Sequence, residues 1–333
     1  MLVARGDLIK NMLASYQKGD DVAFRTAASE VIGDERRKHH QLLADELETI
    51  MTPPTKASQE RLTVSSLRPL PKDRNDAELV QLVNPRRTLE RQVLRREVVT
   101  RLQDTVDEHH RAGVLHAHGL HPARALLFVG PPGTGKSSSA EALAAELGIP
   151  LARVNLPAVV SSLLGETSRN LAAIFEACRT EHWVILFDEF DALGRERSDA
   201  SEHGELKRVV TTFLQLLDDY TGPALVIAAT NHPAMLDEAV WRRFDDVIGF
   251  RLPTQKEIES LVRRLFRRIK LATPPVDVAR RLRGWSHADV ELVCRAAMKR
   301  SVLRDGNDVT VADLDSAIKR LEERRATIRR SLA

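Results

Sequence analysis

The sequence has few aromatic side chains, few cysteines and no long apolar run. Aromatic residues make up 4% of the 333 residues, so a hydrophobic core has to be built mainly from Leu, Val, Ile and Ala. The two cysteines, Cys178 and Cys294, are too few for a disulfide framework, and we expect two buried thiols in a reducing compartment. No stretch approaches the roughly 18 apolar residues of a membrane span, and no signal-peptide core begins the chain. We therefore expect a soluble, cytoplasmic protein with no membrane partner.

The chain also lacks a dominant charge. Its 50 Lys and Arg nearly balance its 47 Asp and Glu, which gives a formal net charge of +3. Such a balance creates no global field that would attract nucleic acid. From residue 254 onward, 19 basic residues face 11 acidic ones, a pattern that we interpret as a solvated helical surface. We therefore do not expect nucleic acid to be a partner.

Hydrophobic periodicity divides the chain into four parts. Residues 1–51 carry apolar stripes at helical spacing and are predicted to form a helical N-terminal domain, and the polar, proline-bearing residues 52–78 are predicted to be a linker. In residues 79–253, a helix at roughly 86–112 precedes five apolar runs that alternate with helices. This alternation predicts an α/β domain whose parallel sheet is covered on both faces. Residues 254–333 predict four helices, beginning near 254, 275, 287 and 310, and no further strand.

A glycine-rich stretch after the first apolar run has the form of a P-loop. The letters GPPGTGKS fit the pattern G-x-x-x-x-G-K-[ST] and lie between the run ALLFV and a helical segment, which is the context that the motif requires. Its backbone N–H groups would hold phosphates, Lys136 would reach the β- and γ-phosphates, and the Ser137 hydroxyl would bind Mg²⁺. ATP and Mg²⁺ are the expected cofactors. The predicted nucleotide-binding residues are Gly130, Pro131, Pro132, Gly133, Thr134, Gly135, Lys136, Ser137, Ser138 and Asp188.

Polar side chains end two further apolar runs. Asp188 and Glu189 follow WVILF, and Asn231 ends ALVIAATN, both at the sheet edge where open α/β sheets bind ligands. Asp188 and Ser137 are the predicted metal ligands, and Glu189 is placed to polarise the attacking water. The Asn231 amide would hold that water and the γ-phosphate. Arg242 and Arg243 lie in WRRFD, where phosphoryl-transfer enzymes supply a cation to the transition state. The predicted catalytic residues are Glu189, Asn231, Arg242 and Arg243.

Together these segments resemble the AAA ATPase family over roughly residues 85–325. The order GPPGTGKS, ILFDEFD, ATN and RRFD, followed by GWSHADVELVCRAA, is similar to the family's Walker A, Walker B, sensor 1, arginine finger and helical lid. The resemblance implies a P-loop NTPase αβα domain and a four-helix lid. It also implies a homo-oligomer, usually a hexameric ring, with ATP between neighbouring subunits. Arg243, next to Phe-Asp, is the first choice for the finger that acts on the neighbour's nucleotide.

Two positions depart from the family's pattern. Arg242 and Arg243 are adjacent, whereas family members often carry a longer turn with Pro-Gly between two arginines, so either residue is a candidate finger. In the lid, WSHAD stands where FSGAD is common, so His287 replaces a glycine. No arginine occupies this position, and no second sensor cation is expected. His287 either approaches the nucleotide or simply begins a helix.

The segment SSLLGE lies where the family places its central-pore loop. Leu163 and Leu164 take the two apolar positions, one of which is typically aromatic in the family. The alternative is that both leucines pack on the following helix, against Leu171, Ile174 and Phe175. A pore loop would grip protein substrates, although leucine offers less contact area than an aromatic ring.

Three functions fit these features. The first is a ring-forming motor that remodels or threads protein substrates, the second is an ATP-operated switch or scaffold that signals to a partner protein, and the third is a DNA-acting ATPase. A small-molecule kinase is disfavoured by Glu189, Asn231 and the helical tail. The layout also resembles that of bacterial family members with one ATPase module and a short helical N-terminal domain. This resemblance makes a subtilisin-like serine protease a candidate partner.

Overall fold

The computed structural model describes residues 69–160, 165–193, 203–306 and 308–331, together with helical positions 26–28, 30, 31 and 33. The chain divides into two compact units, residues 1–65 and residues 66–333. Most of the predicted N-terminal helical domain and the segment 161–164, which includes Leu163 and Leu164, lie outside the described residues.

A six-stranded sheet forms the centre of the second unit. Its strands are β1 (Val80–Val83), β2 (Ala125–Val129), β3 (Leu151–Val154), β4 (Val184–Phe187), β5 (Leu225–Thr230) and β6 (Asp246–Gly249). They lie in the order β1-β3-β4-β5-β2-β6, and every neighbouring pair is parallel except β1 and β3, which are antiparallel. The predicted apolar runs form β2 to β6, so the predicted α/β fold class is confirmed.

Helices cover both faces of this sheet. They are α1 (Arg96–His110), α2 (Ala112–Ala117), α3 (Lys136–Leu147), α4 (Leu156–Val159), α5 (Glu166–Cys178), α6 (His203–Asp218) and α7 (Glu238–Trp241). Because strand side chains alternate, Val184 and Leu186 of β4 join one core with α1 and α3, whereas Ile185 and Phe187 join the other with α5 and α6. Because β2, β5 and β4 are neighbours and parallel, their carboxyl ends lie side by side at one end of the sheet.

A smaller helical part follows the sheet. It contains α8 (Gln255–Leu265), α9 (Pro275–Arg281), α10 (His287–Leu303) and α11 (Val311–Ser331), which share a hydrophobic core of their own. Capping boxes begin α8 at Thr254 and Glu257 and α10 at Ser286 and Asp289. The prediction that no strand follows the sheet is wrong, because Lys270–Leu271 pairs in parallel with Asp308–Val309. Strands of two residues are too short to produce a period-two pattern.

The segment before β2 also differs from the prediction. Strand β1 was not predicted, and the expected helix at 86–112 is divided into a 3-10 turn at Leu89–Arg91, an extended stretch and α1. Contacts with α3 explain the division, since the backbone N–H groups of Arg86 and Leu89 donate to the Glu141 and Glu146 carboxylates. Both cysteines are buried and unpaired. In the part of the chain that the structure describes, no helix is long and apolar enough to cross a membrane.

Candidate active site

The P-loop connects β2 to α3, and its glycines have backbone conformations that other residues rarely adopt. Gly130, Gly133 and Gly135 have φ angles of 147°, 73° and 105°. A Cβ atom on Gly130 would overlap the carbonyl of Phe250, and one on Gly133 would lie 2.7 Å from Ser286 Oγ in the lid. Glycine is therefore required here both by the backbone angles and by the close approach of other segments.

Lys136 is buried at the centre of this loop. Its Nζ donates to Gly130 O at 2.7 Å, to Pro131 O at 3.0 Å and to Asn231 Oδ1 at 2.7 Å. Burial lowers the pKa of Lys136, and the nearby carboxylates of Asp188 and Asp191 partly oppose that shift. The ammonium group thus joins the end of β2 to the end of β5.

Ser137 and Asp188 lie in direct contact although they are distant in sequence. Ser137 is in the first turn of α3, and Asp188 follows β4; Ser137 Oγ donates to Asp188 Oδ2 at 2.5 Å. Oxygen donors of this kind are the ligands that Mg²⁺ prefers, so the pair fits the predicted metal site.

Glu189 has a left-handed backbone, with φ of 53°. The other described non-glycine residues with positive φ are Asp76 and Asp305, and aspartate tolerates this region better than glutamate. Glu189 N donates to Asp188 Oδ1 at 3.0 Å, and the exposed side chain lines a cavity beside the P-loop. Such a conformation costs about 1–3 kcal/mol, and strained residues of this kind cluster at functional sites.

Asp191 is a site residue that the sequence reasoning missed. It is 3% exposed, and its Oδ1 accepts hydrogen bonds from Thr230 Oγ1 at 3.0 Å and from Asn231 N at 3.4 Å. It therefore fixes the backbone that presents Asn231 to Lys136. The available signal was the second aspartate of DEFD, three residues after Asp188.

A cavity of about 580 Å³ lies between the P-loop and the lid, and we call it the P-loop cavity. Its volume is in the range of ligand pockets. Lys136, Ser137, Asp188, Glu189 and Asn231 line one side. His287 also lines the cavity, together with residues that the sequence did not indicate: Arg87, Arg91, Gln92, Val93, Leu94, Leu261, Arg264, Leu265, Ala288, Glu291 and Arg295.

His287, singled out in the sequence, is both the first residue of α10 and part of the cavity wall. Its ring faces the backbone of Val93, but neither ring nitrogen makes a hydrogen bond of normal geometry to the described residues. Burial lowers the pKa of His287, while Glu257 and Val93 partly oppose the shift. Its neutral imidazole therefore contributes an uncharged wall.

Arg242 and Arg243 are not brought to this cavity. Arg242 is 73% exposed and pairs with Glu238 at 2.5 Å. Arg243 is 35% exposed, and its Nε donates to Asp218 Oδ2 at 2.9 Å, while its Nη1 donates to Ala239 O at 2.8 Å. Within the described residues of one chain, the predicted P-loop, acidic and amide side chains converge, and the two arginines stay apart from them.

Comparison with known proteins identifies the family. The family model described as "ATPase family associated with various cellular activities (AAA)" matches residues 126–252. An uncharacterized AAA family ATPase, y4kL of Sinorhizobium fredii, is 38% identical over 325 residues, which cover 97% of each chain. The chain belongs to the AAA ATPase family. It is accordingly an ATPase that binds nucleotide.

Other relatives match a smaller share of this chain. ATP-dependent zinc metalloprotease FtsH 3 of Sphaerobacter thermophilus is 35% identical over 61% of this chain and 43% of its own length. A putative 26S proteasome regulatory subunit homologue of Methanocaldococcus jannaschii is 32% identical over 59% of this chain and 54% of its own length. The FIGL-1 AAA domain structure, with a TM-score of 0.59 and 24% identity, covers 74% of this chain and 89% of its own, and it supports the fold.

Proposed function

We propose that this AAA ATPase binds ATP with Mg²⁺ in the P-loop cavity and hydrolyses it with Glu189 as the residue that activates water. The observation that carries the proposal is the convergence of Lys136, Ser137, Asp188 and Asn231. These residues come from three strand ends, yet they are linked by hydrogen bonds of 2.5–2.7 Å beside one cavity. A family whose members hydrolyse ATP needs these functional groups at one place.

The individual residues divide the chemistry among them. The glycine backbone and Lys136 hold the phosphates, and Lys136 exchanges its three protein oxygen partners for phosphate oxygens. Ser137 and Asp188 would hold Mg²⁺, which would supply positive charge to neutralise the phosphates. Glu189 takes a proton from the attacking water, and Asn231 orients that water. The imidazole of His287 and the side chains of Leu261 and Leu265 form the lid wall.

We further propose that hydrolysis requires a ring, most simply a hexamer, in which an arginine comes from the neighbouring subunit. The support is that Arg242 and Arg243 both lie outside the P-loop cavity of their own chain. Arg243 remains the first choice by its place beside Phe-Asp, although it would have to leave Asp218 and Ala239. Arg242 is the more exposed residue, and in the described part of the chain its one side-chain partner is Glu238.

Mixed oligomers test this arrangement and choose between the two arginines. Lys136→Ala subunits lack a working P-loop but keep both arginines, so they should restore turnover when mixed with subunits that lack only the finger. We expect Arg243→Ala to be rescued in this way. Arg242→Ala is the matched comparison, and rescue of that variant instead would move the assignment of the finger to Arg242. Absence of rescue for both variants, with mixed oligomers demonstrated by native mass spectrometry, would refute a finger that acts between subunits.

The proposed work of the ring is the remodelling or threading of protein substrates. Support comes from its relatives, which include the ATP-dependent zinc metalloprotease FtsH 3 and the putative 26S proteasome regulatory subunit homologue. The expected pore loop at Leu163 and Leu164 stays a prediction. A permanently unfolded protein should stimulate ATP turnover and DNA should not; the reverse would favour a DNA-acting ATPase.

Leu163→Ala tests the pore loop separately. It should abolish stimulation by the unfolded protein, while basal turnover and assembly are retained. Leu171→Ala is the comparison for a packing role, since Leu171 of α5 is buried in the hydrophobic core. Its truncation should cost about 2–5 kcal/mol of unfolding free energy. A similar loss of stability in Leu163→Ala would identify that leucine as a core residue and contradict the pore loop.

A subtilisin-like serine protease is the proposed partner, on the basis of the resemblance to single-module bacterial members of the family. The proposed compartment is the cytoplasm, which suits the two unpaired buried thiols. Glu189→Gln protein, loaded with ATP and mixed with such a purified protease, should form a complex that depends on nucleotide. Equal binding with ADP, or none with either nucleotide, would contradict the partnership.

A further inference from the structure

Arg264, near the end of lid helix α8, directs its guanidinium at three consecutive backbone carbonyls. It donates to Glu90 O at 3.1 Å, to Arg91 O and to Gln92 O at 3.5 Å. These carbonyls end the 3-10 turn at Leu89–Arg91, and the last carbonyls of a helical turn lack partners within the turn. Among the described residues no carboxylate pairs with Arg264, so its guanidinium N–H groups bind these backbone carbonyls instead.

Gln92, which directly follows this turn, attaches the segment to the P-loop helix. Gln92 Nε2 donates to Ser138 O at 2.5 Å, and its Oε1 accepts from Ser139 Oγ at 3.1 Å. Ser138 and Ser139 lie in the first turn of α3, directly after Lys136 and Ser137. The Gln92 amide is thus bonded at both ends to the helix turn that begins with the predicted phosphate-binding side chains.

Helix α8 is itself anchored in the lid. Its Ile258 and Val262 are fully buried in the lid core, so Arg264 has to move with the lid. A second lid contact reaches the P-loop directly, because Ala288 N donates to Gly133 O at 3.1 Å. A continuous series of hydrogen bonds therefore runs from α8 through Arg264 and the 89–92 segment to the first turn of α3.

We propose that Arg264 is a positioning residue for ATP binding, which holds the lid and the P-loop helix in a fixed relation through Gln92. The inference rests on the proposed nucleotide site. Without the guanidinium, the phosphate-binding groups and the lid wall at Leu261 and Leu265 both remain, but their separation then depends on the remaining contact between Ala288 N and Gly133 O. Nucleotide then binds to a less well organised cavity, and the main consequence is a higher KM.

The test compares steady-state ATP turnover of four variants. Arg264→Gln should raise KM for ATP about tenfold and change kcat much less, as expected when binding rather than chemistry is perturbed. Gln92→Leu should have a similar effect. Because the two residues act in series, the double variant should be no worse than either single one, a non-additive result that marks direct coupling. Arg264→Lys, which keeps the positive charge but has one donor nitrogen in place of the guanidinium fork, should recover part of the affinity.

Arg263→Gln is the matched control. Arg263 is the adjacent residue on α8, and among the described residues it pairs with Glu259 of its own helix alone, so its loss should leave KM unchanged. Thermal unfolding of each variant establishes that it is folded.

The proposal is overturned if Arg264→Gln keeps the wild-type KM, if Arg263→Gln raises KM equally, or if the Arg264 and Gln92 effects simply add. Additive effects would mean that Arg264 touches the nucleotide itself. Failure of the nucleotide site as a whole would have a different signature, in which Lys136→Ala binds ATP normally.

Discussion

Replacement of Gly133 by alanine tests whether the lid packs directly against the P-loop. The residue has φ of 73°, so alanine would occupy a left-handed conformation that costs about 1–2 kcal/mol. Its Cβ would also lie 2.7 Å from Ser286 Oγ and 2.9 Å from Ala288 Cβ, both at the start of α10. These separations are about 0.5–0.7 Å shorter than ordinary contact, so α10 has to shift by a similar distance.

Gly148 is the matched control for this substitution. It ends α3 with φ of 65°, and an added Cβ would meet nothing within 4 Å. Gly148→Ala should therefore lose about 1–2 kcal/mol of unfolding free energy, measured in urea, and keep its affinity for a fluorescent ATP analogue. Gly133→Ala should lose at least as much stability, and its affinity should fall by about tenfold or more because the lid wall moves. Wild-type affinity in Gly133→Ala, or an equal loss in Gly148→Ala, would refute direct seating of the lid.

Two further predictions follow from buried titratable groups. Burial lowers the pKa of His287 below 6.5, so the unfolded chain binds the proton more tightly. The contribution of His287 to the free energy of unfolding should hence be fully present above pH 6.5 and be lost as the pH drops through the folded-state pKa. His287→Gln should therefore reduce the slope of the unfolding free energy against pH. Burial also lowers the pKa of His109, so part of the pH dependence should remain in His287→Gln. A slope equal to that of the wild type would contradict the assignment of the pH dependence to His287. Burial also raises the pKa of Cys178 and Cys294 to about 12, so neither should react with iodoacetamide at pH 8 until the protein is unfolded in urea.

The central sheet could be predicted because its strands are buried on both faces. Strand β4, Val184–Phe187, is buried at every position and appears in the sequence as a continuous apolar run. Strand β1, Val80–Val83, is an edge strand with mixed burial, and it is fixed by antiparallel pairing with β3, about seventy residues away. The sequence around β1 contains no pattern that indicates pairing with so distant a strand.

The candidate site divides in the same way. Lys136, Asp188 and Asn231 could be predicted to lie together, because each follows a strand of one parallel sheet and carboxyl ends share an edge. Leu261 and Arg264 could not, since on α8 a leucine and an arginine look like an ordinary core residue and an ordinary surface residue. Only the packing of α8 beside residues 89–92 turns them toward the cavity.

The most direct measurement of the central claim is ATP binding and ATP turnover in Glu189→Gln and Lys136→Ala, side by side. Glu189→Gln keeps every phosphate-binding group but cannot accept the proton of the attacking water. It should bind ATP normally and hydrolyse it about 10²–10⁴-fold more slowly than the wild type. Lys136→Ala should fail to bind ATP, because the buried cation of the P-loop is gone. Turnover by Glu189→Gln at the wild-type rate would contradict the assignment of this cavity as the hydrolytic site.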